Sequence, residues 1–261
     1  MLNAMRHLVY GTTLCLALAF GSSPSAVADE RVQIAVAANF TIVAKELEQA
    51  FEETRDVDLI LSFGSTGKLF TQIALGAPFQ VFLSADSDRP ERAIAQGLAI
   101  AESRFTYATG RIALFSANKA LVDDKGSILA KPDEIGRIAI ANPKTAPYGR
   151  AAEQALAALG VLKALRPKLV RGDNIAQTYQ FVSTGNADLG LVALSQVLGP
   201  KLDDTVVGSH WIVPETLYEP ISQDAVLLQR GADSPGARAF LDFLKSPAAS
   251  AIITRYGYGT D

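Results

Sequence analysis

The chain has 261 residues and a mass of 27.7 kDa; 49% of the residues are hydrophobic, 20% are charged, and the formal net charge is −3 with a pI near 5.5. That composition is globular and excludes a disordered or collagen-like chain, and the single cysteine excludes a disulfide scaffold. A weakly acidic chain has no dense basic face, which removes the main driving force for non-specific nucleic-acid binding.

Arg6 and His7 stand before the apolar run 14–20, followed by Gly21-Ser22-Ser23-Pro24 and then Ala26-Val27-Ala28. This order of charge, short apolar stretch and small residues is that of a secretory signal peptide, with cleavage expected after Ala28. The apolar run is too short for a membrane span, which takes about 20 residues. Cys15 lies within it, without the small residues a lipid-attachment site needs ahead of the cysteine, so the exported protein is expected to be soluble, unlipidated and free of cysteine.

From 32 onward, short β-rich runs alternate with amphipathic helices. Strands are expected at 32–36, 57–63 and 80–83. The helices between and after them are marked by Val43, Leu47, Ala50 and Phe51, by Leu69, Phe70, Ile73 and Ala74 ending at Gly76, and by 89–96 with Pro90 in its first turn. A second series follows: strands at 111–116, 137–141 and 189–193, and an Ala-rich helix at 151–159 stopped by Gly160. A strand at 225–228 and helices carrying Phe240 and Phe243 and then 251–256 close the chain. The alternation predicts an α/β fold with parallel sheets covered by helices on both faces, in two lobes with a ligand cleft between them.

Enzyme signatures are weak. His210 is the one histidine beyond the signal segment, which excludes a multi-histidine metal site and leaves any Ser-His-Asp triad resting on Ser209-His210. Gly64-Ser65-Thr66-Gly67-Lys68 resembles a phosphate loop, but Ser62 stands where its first glycine belongs and Leu69 where it needs a hydroxyl. Asp86 and Asp88 read as a turn and a helix start rather than a metal pair. Glu215, Asp224 and the Asp86/Asp88 pair remain the carboxylates a secreted enzyme would use. Trp211, Tyr218 and Tyr256 are the aromatics that a purely interacting surface would use, though packing explains them better.

The strand-to-helix junctions carry the stronger signal. They read Ala37-Ala38-Asn39-Phe40-Thr41, Gly64-Ser65-Thr66-Gly67, Pro143-Lys144-Thr145-Ala146-Pro147-Tyr148-Gly149 and Gly172-Asp173-Asn174-Ile175. Asn39, Thr66 and Asn174 are good helix caps, which accounts for any one junction alone. Two junctions in each lobe, all at the C-terminal ends of strands, would point several free N–H groups into one crevice and make it an anion site. Lys68 and Lys144 are the only basic residues there, so the expected ligand is a small oxyanion held by neutral dipoles. Asp173 is the nearest carboxylate and the one residue that could instead favour a protonated anion.

At these junctions the chain resembles the periplasmic molybdate-binding proteins that serve the molybdate ABC importer. The matching residues are Ala37-Ala38-Asn39-Phe40, Ser62-Phe63-Gly64-Ser65-Thr66-Gly67-Lys68-Leu69, Gly76-Ala77-Pro78, Phe82-Leu83-Ser84-Ala85-Asp86, Asn142-Pro143, Ala146-Pro147-Tyr148-Gly149, Ala187-Asp188-Leu189-Gly190, Gly208-Ser209-His210-Trp211 and Tyr218-Glu219-Pro220-Ile221. The resemblance implies a class II periplasmic binding fold, with 29–108 and 219–261 forming one lobe and 109–218 the other. It implies a site for molybdate or tungstate made of Ala38 and Asn39, a hydroxyl from Thr66 or its neighbour Ser65, and backbone N–H groups at Tyr148 and Ile175. Some members add a tyrosine hydroxyl where this chain has Ala193, and Tyr148 is expected to take its place. The further expectations are a monomer with no catalysis and no cofactor, a membrane permease as partner, and sulfate or thiosulfate as the alternative ligand.

Overall fold

A computed structural model describes residues 30–202 and 208–260. The signal segment 1–28, with its cleavage point and Cys15, lies outside the described residues. Along the first strand, Val32, Ile34 and Val36 face one apolar cluster and Ala35 the opposite one, the two-residue period of a strand buried on both sides. This strand, β1 (Glu30–Ala37), leads through a single 3-10 turn, Ala38–Phe40, into α1 (Thr41–Glu52), and β2 (Val57–Gly64) leads into α2 (Thr66–Ala74). There follow β3 (Val81–Leu83), α3 (Asp88–Ala95) and β4 (Phe105–Gly110).

The chain then crosses to a second sheet built from β5 (Ile112–Ser116) and β6 (Ile138–Ala141), α4 (Pro147–Ala158), α5 (Leu162–Leu165), β7 (Leu169–Gly172), α6 (Ile175–Ser183), β8 (Leu189–Ala193), α7 (Leu194–Leu202) and β9 (Ser209–Ile212). It crosses back through 213–220 to β10 (Ile221–Leu227), α8 (Pro235–Leu244) and α9 (Pro247–Arg255). The first sheet has the order β2-β1-β3-β10-β4 and the second β7-β6-β8-β5-β9.

Both sheets are mixed, where the sequence pattern predicts parallel ones. Strand β1 runs parallel to β2 and β3, and β6 runs parallel to β7 and β8, but β10 and β5 run antiparallel to their neighbours. The reversal belongs to the crossings, because β5 follows directly on the first and β10 directly on the second.

Helix α1 buries Val43, Leu47 and Phe51 on one face of the first sheet with Phe240 of α8, while α2 buries Leu69, Phe70 and Ile73 on the other. In the second lobe, Ala151, Ala152, Ala155 and Leu156 of α4 cover Ile138, Ile140 and Leu191. Trp211 packs against that same core, and Tyr218 and Tyr256 are buried, so these aromatics form no exposed binding face. Among the described residues no helix is long and apolar enough to cross a membrane.

Candidate functional site

The four strand-to-helix junctions meet. One cavity between the sheets is lined by Ala37, Ala38, Asn39, Gly64, Ser65 and Thr66 from one side, with Ala85, and by Ala146, Pro147, Tyr148, Asn174 and Ile175 from the other. All six expected site residues, Ala38, Asn39, Ser65, Thr66, Tyr148 and Ile175, are thus brought together. The cavity volume is about 10 Å³, room for about one water molecule and far below the roughly 300–1,000 Å³ of sites for drug-sized ligands, which excludes a peptide or a sugar.

Its walls carry no formal charge. Lys68, Lys144 and Asp173 are absent from the lining, and Lys68 and Asp173 pair with each other at 2.9 Å with both side chains largely exposed. What the walls offer is hydrogen-bond donors. The first N–H groups of a helix have no intrahelical acceptor. In α4 the first residue is Pro147, which has no N–H, so the N–H of Tyr148 is the first available there. In α6 the Asn174 side chain caps Gln177 N–H at 2.9 Å and leaves that of Ile175.

Two hydroxyls add to them. Thr66 Oγ1 accepts from the N–H of Ala85 at 3.1 Å, which occupies a lone pair and leaves its proton for another acceptor. Ser65 Oγ is buried and has no partner among the described residues. An unpaired buried hydroxyl costs free energy, so its presence in a cavity lining marks a place where something else accepts.

The lobes touch around the cavity. Gly67 N–H donates to Thr145 O at 2.9 Å, and a Cβ at Gly67 would stand 3.1 Å from the Thr145 backbone, so this approach between lobes depends on the missing side chain. Arg150 reaches Asp86 across the cleft at 3.2 Å, Asp86 also holds Arg89, and Arg89 Nη2 donates to Lys144 O at 3.4 Å. A cleft of about 250 Å³ lies beside the cavity, sharing Ala85 and Pro147 with it and lined by Asp86, Arg150 and Glu219.

Behind the cavity lies a neutral polar cluster. Asn39 Nδ2 donates to Gln223 Oε1 at 2.8 Å and to Tyr258 Oη at 3.0 Å, with Tyr148 Oη at 3.4 Å. The Asn39 side-chain NH2 is therefore engaged by the cluster. The Tyr148 hydroxyl is likewise taken up by Asn39 and Gln223. Burial, reinforced by the neighbouring tyrosines, raises the Tyr107 and Tyr148 hydroxyls well above the ordinary tyrosine value, and burial also raises that of Tyr258. All three stay neutral at physiological pH.

The carboxylates considered for acid-base work have other occupations. Asp224 is buried between Arg104 (2.6 Å) and Thr106 (2.8 Å), and Glu215 pairs with Arg111 at 2.7 Å. Asp86 Oδ1 accepts from the N–H of Arg89 at the start of α3. Ser209 Oγ donates to Asn118 O at 2.6 Å, so its proton is committed to a backbone carbonyl rather than to a catalytic base. Among the described residues no group of three or more His, Cys, Asp or Glu could hold a metal ion.

Sequence reasoning missed Gln223, Tyr258, Tyr107 and Ser195 of the polar cluster, and Arg150 at the cleft. The available signal was Gln223-Asp224, two polar residues directly before the apolar run 225–228, where a buried strand needs a reason to hold them.

A family profile described as bacterial extracellular solute-binding protein matches residues 32–259. The molybdate-binding protein ModA of Azotobacter vinelandii is 51% identical over 94% of this chain and 96% of its own length, and that of Rhodobacter capsulatus is 50% identical over 94% of each. Among solved structures, the Azotobacter vinelandii periplasmic molybdate-binding protein superposes with a TM-score of 0.84 at 39% identity, covering 88% of this chain and 99% of its own.

Proposed function

Since the chain belongs to the bacterial extracellular solute-binding proteins, and among them to the periplasmic molybdate-binding proteins, we propose that it captures molybdate, or the like-sized tungstate, and hands it to an ABC importer. A family of solute-binding proteins serves transport rather than catalysis. On this reading the chain works without a catalytic step or cofactor, as a monomer in the periplasm. It is released there by cleavage after Ala28 and meets a membrane permease rather than nucleic acid. The two lobes are 29–108 with 219–261, and 109–218.

The observation that carries the reading is the convergence of four uncharged donor sites on one small cavity. The N–H groups at Ala38, Asn39, Tyr148 and Ile175 and the hydroxyls of Ser65 and Thr66 would surround the anion, each bond contributing roughly 1.5–3 kcal/mol. Donors fixed by helix termini need no rearrangement on binding, which keeps the entropic cost of association low. A shell of donors alone favours a fully ionised oxyanion over phosphate, which at neutral pH carries a proton that needs an acceptor. Sulfate is separated from molybdate only by size, hence by how closely the two lobes' termini approach.

Thermal unfolding of the purified protein, alone and with molybdate, tungstate, sulfate or phosphate, tests this. A ligand at about 100 times its Kd adds roughly 2.7 kcal/mol, a rise of several degrees. A rise with molybdate and tungstate alone is expected; an equal rise with sulfate would broaden the ligand class, and no rise with any anion would refute the proposal.

A further inference from the structure

Asn39 and Tyr148 belong to different lobes and both line the cavity, yet their side chains meet behind it on one residue, Gln223. Gln223 is fully buried on β10. Its Oε1 accepts from Asn39 Nδ2 at 2.8 Å and lies 3.2 Å from the Tyr107 hydroxyl, and its Nε2 donates to Tyr148 Oη at 3.3 Å. One planar amide therefore spans the 3-10 turn of the first lobe and the opening turn of α4 in the second.

Two features of the backbone make room for it. The pairing of β10 with β4 shifts between Gln223 and Asp224, so that Tyr107 is an extra residue in β4, and such bulges re-aim side chains beside functional sites. At Gly110, where the chain leaves β4 to cross between lobes, an added Cβ would stand 2.2 Å from Tyr148 Oη and 2.7 Å from Gln223 Nε2. The crossing strand thus carries a glycine where the amide reaches the tyrosine. Asn39 is held from its other end as well, its carbonyl accepting from Tyr258 Oη at 2.8 Å and from Ser195 Oγ at 3.1 Å.

Resting on the oxyanion reading of the cavity, we infer that Gln223 is a positioning residue that sets the separation of the two lobes' donor termini, and through it the size of oxyanion the closed cavity accepts. It touches no ligand. Its effect is transmitted through the Asn39 turn and the first turn of α4, and its signature is a change in the ratio of molybdate to sulfate affinity rather than a uniform loss.

The test is calorimetric titration of the wild type, Gln223→Met, Tyr148→Phe and the double variant with molybdate and with sulfate, alongside the unfolding temperature without ligand. Methionine keeps the length and loses the directional amide; phenylalanine keeps the ring and packing and removes only the hydroxyl that Gln223 reaches, so it serves if Gln223→Met does not fold. A small misplacement of binding groups can cost about 100-fold. The expected result is a fall of about tenfold or more in the molybdate-to-sulfate ratio in each variant, with the double variant no worse than the stronger single one. Equal weakening for both anions, or a lowered unfolding temperature with an unchanged ratio, would overturn the inference. Wild-type protein that binds neither anion would refute the functional reading itself, a separate outcome.

Discussion

The cavity and the rim of the cleft lie beside each other, and they handle charge in opposite ways. The cavity is lined by twelve residues with no formal charge among them. At the rim, Lys68 meets Asp173, and Asp86 gathers Arg89 and Arg150. The contrast separates two tasks. An anion that must later be released is suited to fixed backbone dipoles, whose donors do not follow it. Ion pairs between lobes contribute little each in solvent but depend on the lobes being together, so they suit holding a closed state that must reopen.

The largest effect is expected when charge enters the cavity. Ser65→Asp puts a carboxylate among the anion's donors, and molybdate binding is expected to vanish in calorimetry while the protein still unfolds cooperatively. Removing a donor is milder. Ser65→Ala should weaken molybdate by roughly 1.5–3 kcal/mol, about 10- to 150-fold in Kd. The same change should leave the unfolding temperature of the free protein equal or higher, because the buried Ser65 Oγ has no partner among the described residues to lose. Thr66→Val should cost as much in binding and also lower that temperature, since the Ala85 N–H loses its acceptor.

Changes at the rim should be smaller and should respond to salt. Arg150→Met removes the bond across the cleft to Asp86 but leaves Arg89 on that carboxylate. The expected loss is about 1 kcal/mol or less, seen as faster molybdate release in stopped-flow and diminishing as ionic strength rises. A loss larger than that of Ser65→Ala would mean that the rim, not the cavity, holds the anion.

The smallest effect concerns pH. Tyr107, Tyr148 and Tyr258 are raised above the ordinary value near 10 by burial. A raised folded-state value favours the protonated form, so the stability this contributes is fully present below about pH 10 and is lost as pH climbs through the folded-state values. Unfolding temperature and molybdate affinity should therefore show no tyrosine-linked change between pH 7 and 9, with stability falling above about 10, less steeply in Tyr148→Phe.

Most of the strands and helices that place the cavity were legible in the sequence, because β6 and β8 are continuous apolar runs, β1 and β2 are rich in Val, Ile and Leu, and α1 and α2 keep a clear apolar face. Strand β4 was not foreseen, and β7 was implied only by the helix start that follows it. Phe105-Thr106-Tyr107-Ala108-Thr109-Gly110 mixes buried and half-buried positions through its bulge, and Leu169–Gly172 is an edge strand too short to establish a period. Strand β10 begins at Ile221 rather than 225 because its buried Gln223 and Asp224 are satisfied by distant partners, Asn39, Tyr148 and Arg104, that no local pattern reveals. The positions that line the cavity could be anticipated from helix-start chemistry and family resemblance. The direction each side chain takes could not: Asn39 and Tyr148 turn their polar ends into the cluster behind the cavity, and only the meeting of the lobes decides that.

A crystal structure of the protein grown with molybdate tests the central claim most directly. The neutral-dipole account predicts the anion in the cavity among Asn39, Ser65, Thr66, Tyr148 and Ile175, with its oxygens about 2.7–3.2 Å from backbone N–H and hydroxyl groups and no lysine or arginine in contact. An anion seated instead against Arg150 in the neighbouring cleft, or one joined in the cavity by Lys68 or Lys144, would contradict it.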